Sequence, residues 1–199
     1  TYTWRYTLSL HDALPISGQK MCQKTLEREL LKIRDEQAKT HGEQLYKEYA
    51  ERGIRGEVID GFPVIRTTTY PMLKHFMKKE EQPNQAAIQT LFYAMVGLGD
   101  TNVLSRGGAE GLNWIRENAT GILSLGGAFT KAGREGIQMM NRQCIEKNLS
   151  PGGAADMLAL TIFLWELEND KAWNLEAMKI SSKGVGEDGA WIDKSEQIA

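Results

Sequence analysis

The sequence predicts an all-α multi-helix bundle, and three observations carry the prediction. Apolar residues recur at helical spacing, strand signals are sparse, and Pro, Gly, Ser and Asn fall where helices would start or stop. A length of 199 residues with 41% hydrophobic and 25% charged residues describes one globular domain whose core needs no disulfide or metal staple. Twenty-four Lys and Arg against twenty-six Asp and Glu exclude a broadly basic nucleic-acid surface, although a local anion site fits that balance. Cys22 and Cys144 stand far apart, in no zinc or disulfide spacing, which points to a reducing, cytoplasmic compartment. The longest oily stretch, 157–165, is about half of what a membrane helix needs.

The elements follow in order. From Met21 to Glu51, Leu26, Leu30, Ile33, Leu45 and Tyr49 recur near helical spacing, giving one long helix or two, broken at Thr40-His41-Gly42. Residues 52–66, with Gly53, Gly56, Gly61 and Pro63, read as a turn-rich connector, with a short strand at 64–68. Pro71 opens a helix over 72–79, because proline at the first helical position loses no hydrogen bond. Asn84 caps a helix over 85–96, whose Ile88, Leu91, Phe92 and Met95 share a face. Further helices run over 107–125, closed by Gly126-Gly127, and over 131–147. Ser150 then caps Pro151 to Glu168.

The ends differ from this pattern. The first seventeen residues, TYTWRYTLSLHDALPIS, show no helix-period stripe and read as an adapter-derived, disordered leader outside the fold. Residues 18–168 form the helical domain. Residues 169–199 mix scattered apolar residues with Gly184, Gly186 and Gly189, and read as a weakly ordered tail with a short helix near 173–180.

Three glycine clusters stand against the helical background: Arg55-Gly56-Glu57 with Gly61; Asp100-Thr101-Asn102 followed by Arg106-Gly107-Gly108; and Asn148-Leu149-Ser150-Pro151-Gly152-Gly153 with Asp156. Each glycine weakens a helix by about 1 kcal/mol relative to alanine. Close approach of a ligand to backbone N–H groups is one reason to keep them, with an arginine beside them for phosphate. Asp100 and Asp156 are of the type that holds Mg²⁺, which uses one or two carboxylates plus waters and phosphate oxygens. Each cluster also has a plain structural reading. Ser150-Pro151 is a good helix start, Asp156 suits a helix dipole, and Gly107-Gly108 lets two helices pack closely. Three such clusters in one small domain tip the balance towards a phosphate-rich ligand. Neither a Walker loop nor a strand-borne Gly-x-Gly-x-x-Gly is present. His75, among Lys74, Lys78 and Lys79, reads as a solvated face, whereas His41, in no ligand spacing but beside Gly42 at the break between helices, stays a candidate only. Cys144 and the methionines read as core filling.

The segments GEQLYKEY, RGIRGEVIDGFPVI, LGDTNVLSRGG and NLSPGGAADMLALTIFL resemble the triphosphoribosyl-dephospho-CoA synthase family, from about Gln37 to Leu167. The resemblance implies an all-α, bacterial, cytoplasmic enzyme. It would transfer a triphosphoribosyl group from ATP to 3′-dephospho-CoA with release of adenine. The product is the prosthetic-group precursor that a second transferase attaches to the acyl-carrier protein of citrate lyase or malonate decarboxylase, with no nucleic acid or membrane involved. Family members carry an N-terminal half with Lys-Pro-Gly and Asn-Thr-His-Lys-Gly motifs that has no counterpart here, so the chain reads as the C-terminal part of a larger domain. On this reading Arg106, Gly107, Gly108, Gly152 and Gly153 hold the triphosphate. Asp100 and Asp156 hold Mg²⁺, and Asn102, Asn148 and Ser150 orient polar groups. Arg55 and Glu57 form a second ionic contact, and the base for the attacking hydroxyl is one of Asp100, Asp156 and Glu57. Two other functions remain open at this point. One is another nucleotide-dependent transferase or phosphotransferase; the other is a non-catalytic helical interaction module whose glycines serve packing.

Overall fold

The computed structural model describes residues 10–79, 82–169, 183–185 and 191–193. They form α1 (Leu10–Asp35), α2 (His41–Tyr49), α3 (Gly53–Ile59), a π-helical turn (Ile65–Thr69), α4 (Tyr70–Lys79), α5 (Pro83–Gly97), α6 (Thr101–Ser124), a 3-10 turn (Gly127–Phe129), α7 (Lys131–Glu146) and α8 (Gly152–Asn169). A two-stranded antiparallel ladder, β1 (Lys183–Val185) and β2 (Trp191–Asp193), pairs Lys183 with Asp193 and Val185 with Trp191. The all-α bundle is therefore the architecture, with this small ladder as the departure. Among the described residues no helix is long and apolar enough to cross a membrane.

The break near Thr40 has a local cause. The Thr40 hydroxyl accepts the Glu43 N–H at 3.3 Å, and the Glu43 carboxylate accepts the Thr40 N–H at 3.1 Å, a reciprocal cap that starts α2. Thr130 caps α7 by its hydroxyl alone, which takes the Gly133 N–H at 3.0 Å. At α5 the start lies two residues earlier than a cap at Asn84 requires. Gln82 is the flanking residue, and Pro83 takes the first helical position, where its missing N–H is harmless.

Helices α5 and α8 are apolar around most of their surface, because both are central. Helix α5 packs on α4, α6 and α8, while α8 also meets α1 and the π turn. The core between them holds Ile65, Tyr70, Phe92, Val103, Ile115 and Leu164, each no more than 5% exposed. Thr69 and Thr161 are fully buried there and satisfy one another through a 2.6 Å hydroxyl contact, Thr161 passing its second bond to the Met157 carbonyl at 2.7 Å.

Three expectations need correction. The strand expected at 64–68 is helical and π-helical instead, continuous with α4. Its β-branched residues favour a strand, but burial of Ile65 and the Thr69–Thr161 bond decide the outcome, and Thr67 returns its hydroxyl to the Pro63 carbonyl at 2.7 Å. The connector over 52–66 contains a helix, α3, whose Ile59 packs with Leu30 and Ile33 of α1. The leader expected to be disordered is helical from Leu10. Pro15 costs the helix one hydrogen bond, yet it is buried, and Leu14 packs against the main core. The helix expected near 173–180 lies outside the described residues.

Candidate functional site

The site forms where the start of α6 meets α3 and the first turns of α8. A cavity of about 110 Å³ opens there between Gly53, Glu57, Asp100, Asn102, Gly153 and Asp156. Sequence positions from all three glycine clusters thus come together. Among the described residues, however, no three His, Cys, Asp or Glu side chains make a metal-holding group.

Asp100 is 3% exposed, and its carboxylate is already engaged. One oxygen, Oδ1, accepts the N–H groups of Asn102 and Val103 at 2.9 and 3.3 Å, capping α6. The other, Oδ2, accepts the Ala154 N–H at 2.9 Å, capping α8 from 54 residues away. Two helix starts therefore converge on one internal anion. Ser150, expected to cap α8, contributes only its carbonyl, which accepts the Gly152 N–H at 2.8 Å, and its side chain faces an apolar groove beside Pro151. Gly152 and Gly153 let this arrangement close. A Cβ on Gly152 would lie 2.5 Å from the Asn102 amide nitrogen, and one on Gly153 would lie 3.1 Å from the Asp100 carboxylate.

Glu57 and Asp156 face the same cavity in different states. Asp156 is exposed on the second turn of α8. Glu57 is half-buried, and burial pushes its carboxyl above the ordinary range. The Val64 N–H it accepts at 3.2 Å opposes that shift, and Asp60 and Glu51 reinforce it. Arg55 does not join them: its guanidinium sits 3.6 Å from Glu29 and lines a separate charged groove between α1, α2 and α3.

About one turn further along α6, exposed Arg106 donates to the side-chain oxygen of Asn148 at 3.1 Å. Asn148 adopts a left-handed conformation, φ 53°, as the chain leaves α7. Its amide is neutral, so this contact leaves the guanidinium charge uncompensated. Gly107 seats Leu149, whose Cδ2 would lie 2.5 Å from a Cβ there. Gly108, at φ 61° and ψ −162°, breaks the helical path, so α6 runs as two segments and Gly107-Gly108 precede the second. The glycine pair expected at a helix start is thus at an internal restart.

Sequence reasoning missed one neighbour of this corner, Lys147, and gives another, His41, as a candidate only. Lys147, the residue before Asn148, places its ammonium 5.5 Å from the centre of the Trp114 ring. His41 reaches Ser105 at 2.5 Å, tying the start of α2 to α6. For Lys147 a signal existed in its position beside Asn148, but its pairing with Trp114 depends on the α6–α7 packing.

Comparison with known proteins agrees with the earlier resemblance. The family described as ATP:dephospho-CoA triphosphoribosyl transferase (CitG) matches residues 3–175. A probable 2-(5″-triphosphoribosyl)-3′-dephosphocoenzyme-A synthase of Citrobacter koseri is 40% identical over 146 residues, 73% of this chain and 48% of that protein. The chain therefore spans about half the length of the curated relative it matches. No solved structure gives a significant match.

Proposed function

The chain belongs to the ATP:dephospho-CoA triphosphoribosyl transferase family, and on that premise we propose that it carries the C-terminal part of a site that transfers the triphosphoribosyl group of ATP to 3′-dephospho-CoA. The observation that carries this reading is the half-buried carboxylate of Glu57 in a cavity shared with Asp100, Asn102 and Asp156, with exposed Arg106 standing one turn along α6 from Asn102 and making no ion pair among the described residues. Displacement of adenine at C1′ needs both: a base for the incoming hydroxyl and a fixed positive charge for the triphosphate. The hydroxyl oxygen of dephospho-CoA forms the new bond to C1′, and its proton passes to Glu57. The bond from C1′ to adenine breaks with its electron pair leaving on the base.

Glu57 is the best base of the three carboxylates, because burial already raises its proton affinity while its neighbours stay committed or solvated. Arg106 takes a phosphate in place of Asn148, with Asn148 and Asn102 orienting polar groups on either side. For Mg²⁺ the donor set fits in part. Exposed Asp156 would supply one carboxylate, and phosphate oxygens and water would supply the rest, whereas Asp100 spends both oxygens on backbone N–H groups. When bound, the ion neutralises charge on the triphosphate. Gly152 and Gly153 serve the packing around Asp100. A purely structural reading accounts for them and for Gly107, but it gives the exposed guanidinium of Arg106 no ion-pair partner among the described residues.

The product, a prosthetic-group precursor, would pass to a transferase acting on an acyl-carrier protein of citrate lyase or malonate decarboxylase in the cytoplasm. Adenine release from ATP, dependent on dephospho-CoA, is the decisive measurement. It is made on the chain and on a full-length relative carrying the same residues. Release of ADP or pyrophosphate instead of adenine, or adenine release indifferent to loss of Arg106 and Glu57, would end the proposal.

A further inference from the structure

A second cavity, of about 270 Å³, adjoins Arg106 on the far side of Gly107, between α6 and the α7–α8 loop. Its walls are Gly107, Glu110, Gly111, Trp114, Lys147 and Leu149. Lys147 is exposed and makes no ion pair among the described residues, and its ammonium rests over the Trp114 ring. It is the chain neighbour of Asn148, which Arg106 touches, so two cations without an ion-pair partner among the described residues stand on one short loop-and-helix corner, where Glu110 is the one carboxylate on the cavity wall. From Asn102 at the carboxylate cavity to Gly107 here the helix rises about 7 Å, the scale of a chain of three phosphates.

We propose that Lys147 is the terminal-phosphate contact of this site, leaving the Trp114 ring to bind the outermost group of a linear triphosphate. The inference rests on the triphosphate reading of Arg106 given above and adds a specificity residue to it. The physical basis is the contrast between the two partners of the ammonium. A ring face at 5.5 Å holds an exposed cation weakly, whereas a phosphate oxygen gives it a charge-assisted hydrogen bond. The inner phosphates meet Arg106, and only a ligand long enough to pass Gly107 reaches Lys147. The site therefore discriminates by length. Trp114 reports the exchange, because its emission changes when the ammonium leaves its face.

Calorimetric titration of the 199-residue chain with tripolyphosphate and with pyrophosphate tests this. The intact chain is expected to prefer tripolyphosphate by about tenfold, the scale of one added charge-assisted bond. Lys147→Gln should erase that preference and leave pyrophosphate affinity unchanged, while Arg106→Ala weakens both ligands. Trp114→Phe should keep the preference and abolish the emission change seen with tripolyphosphate. If Lys147→Gln keeps the preference while Arg106→Ala still weakens both, the Lys147 assignment falls and the Arg106 reading survives. If the intact chain binds neither anion, both fall.

Discussion

The two ends of the first segment of α6 carry opposite charges in opposite circumstances. At the Asp100 end the charge is buried, and three backbone N–H groups from two helices surround it. At the Arg106 end the charge is exposed and meets only a neutral amide, with Lys147 over an aromatic ring beside it. Glycines flank both. At the first end they admit a side chain of the protein itself, and at the second they mark a restart of the helix. A glycine beside a charge is therefore an incomplete signal. What separates structure from function is whether the backbone has already met the charge.

The largest effect should come from Glu57→Gln, which removes the base. It should lower the rate of adenine release in a full-length relative by about a hundredfold or more. A fall smaller than tenfold would move the base elsewhere. Because burial raises the Glu57 carboxyl, the rising limb of the pH–rate profile should lie above the ordinary carboxylate range and vanish in the variant. The stability effect has the opposite sense. The neutral form is favoured in the fold, so the contribution of Glu57 is fully present below the unfolded carboxylate pKa and is lost as pH rises through the raised folded value. Urea titrations of the two proteins across that window should converge at low pH.

Asp100→Ala should come next, on stability rather than rate. Three donors lose their acceptor, and a loss of about 3 kcal/mol in urea unfolding is expected, with Asp100→Asn losing less because one acceptor oxygen remains. A loss under about 1 kcal/mol would break the contrast between the two ends, since such values belong to exposed caps. Gly108→Ala should cost about 1–3 kcal/mol, because its backbone lies where only glycine is unstrained. The smallest change is expected for Arg52→Ala. Arg52, before α3, pairs with Asp60, after it, both side chains being exposed, and the effect should stay within about 1 kcal/mol.

Much of the helical pattern was legible because it depends on local order. The periodic spacing of Ile88, Leu91, Phe92 and Met95 and the Thr40 break each lie within a few turns of chain. The failures lie where distant contacts decide. Residues 64–69 carry the composition of a strand, and the burial of Ile65 with the meeting of Thr69 and Thr161 keeps them helical. The leader fails in the same way, since Leu14 gains its place from a core built by later residues. In the site, the sequence offered Asp100, Asp156 and Glu57 as alternative bases, with Glu57 in a second contact beside Arg55, and no spacing could show that the three line one cavity or that the commitment of Asp100 depends on Ala154, far along the chain. Arg55 stood beside Glu57 in sequence and turns to Glu29 in space. No periodicity reveals the direction of a side chain on so short a helix.

The shared acceptor at Asp100 also has a kinetic meaning. An amide exchanges its hydrogen with solvent when its bond opens, and ordinarily the ends of two separate helices fray independently. Here the amides of Asn102 and Val103 on α6 and of Ala154 on α8 answer to one carboxylate. Release of that carboxylate exposes all three at once. Their exchange should therefore follow a common opening free energy, making the starts of α6 and α8 one cooperative unit despite the 54 residues between Asp100 and Ala154.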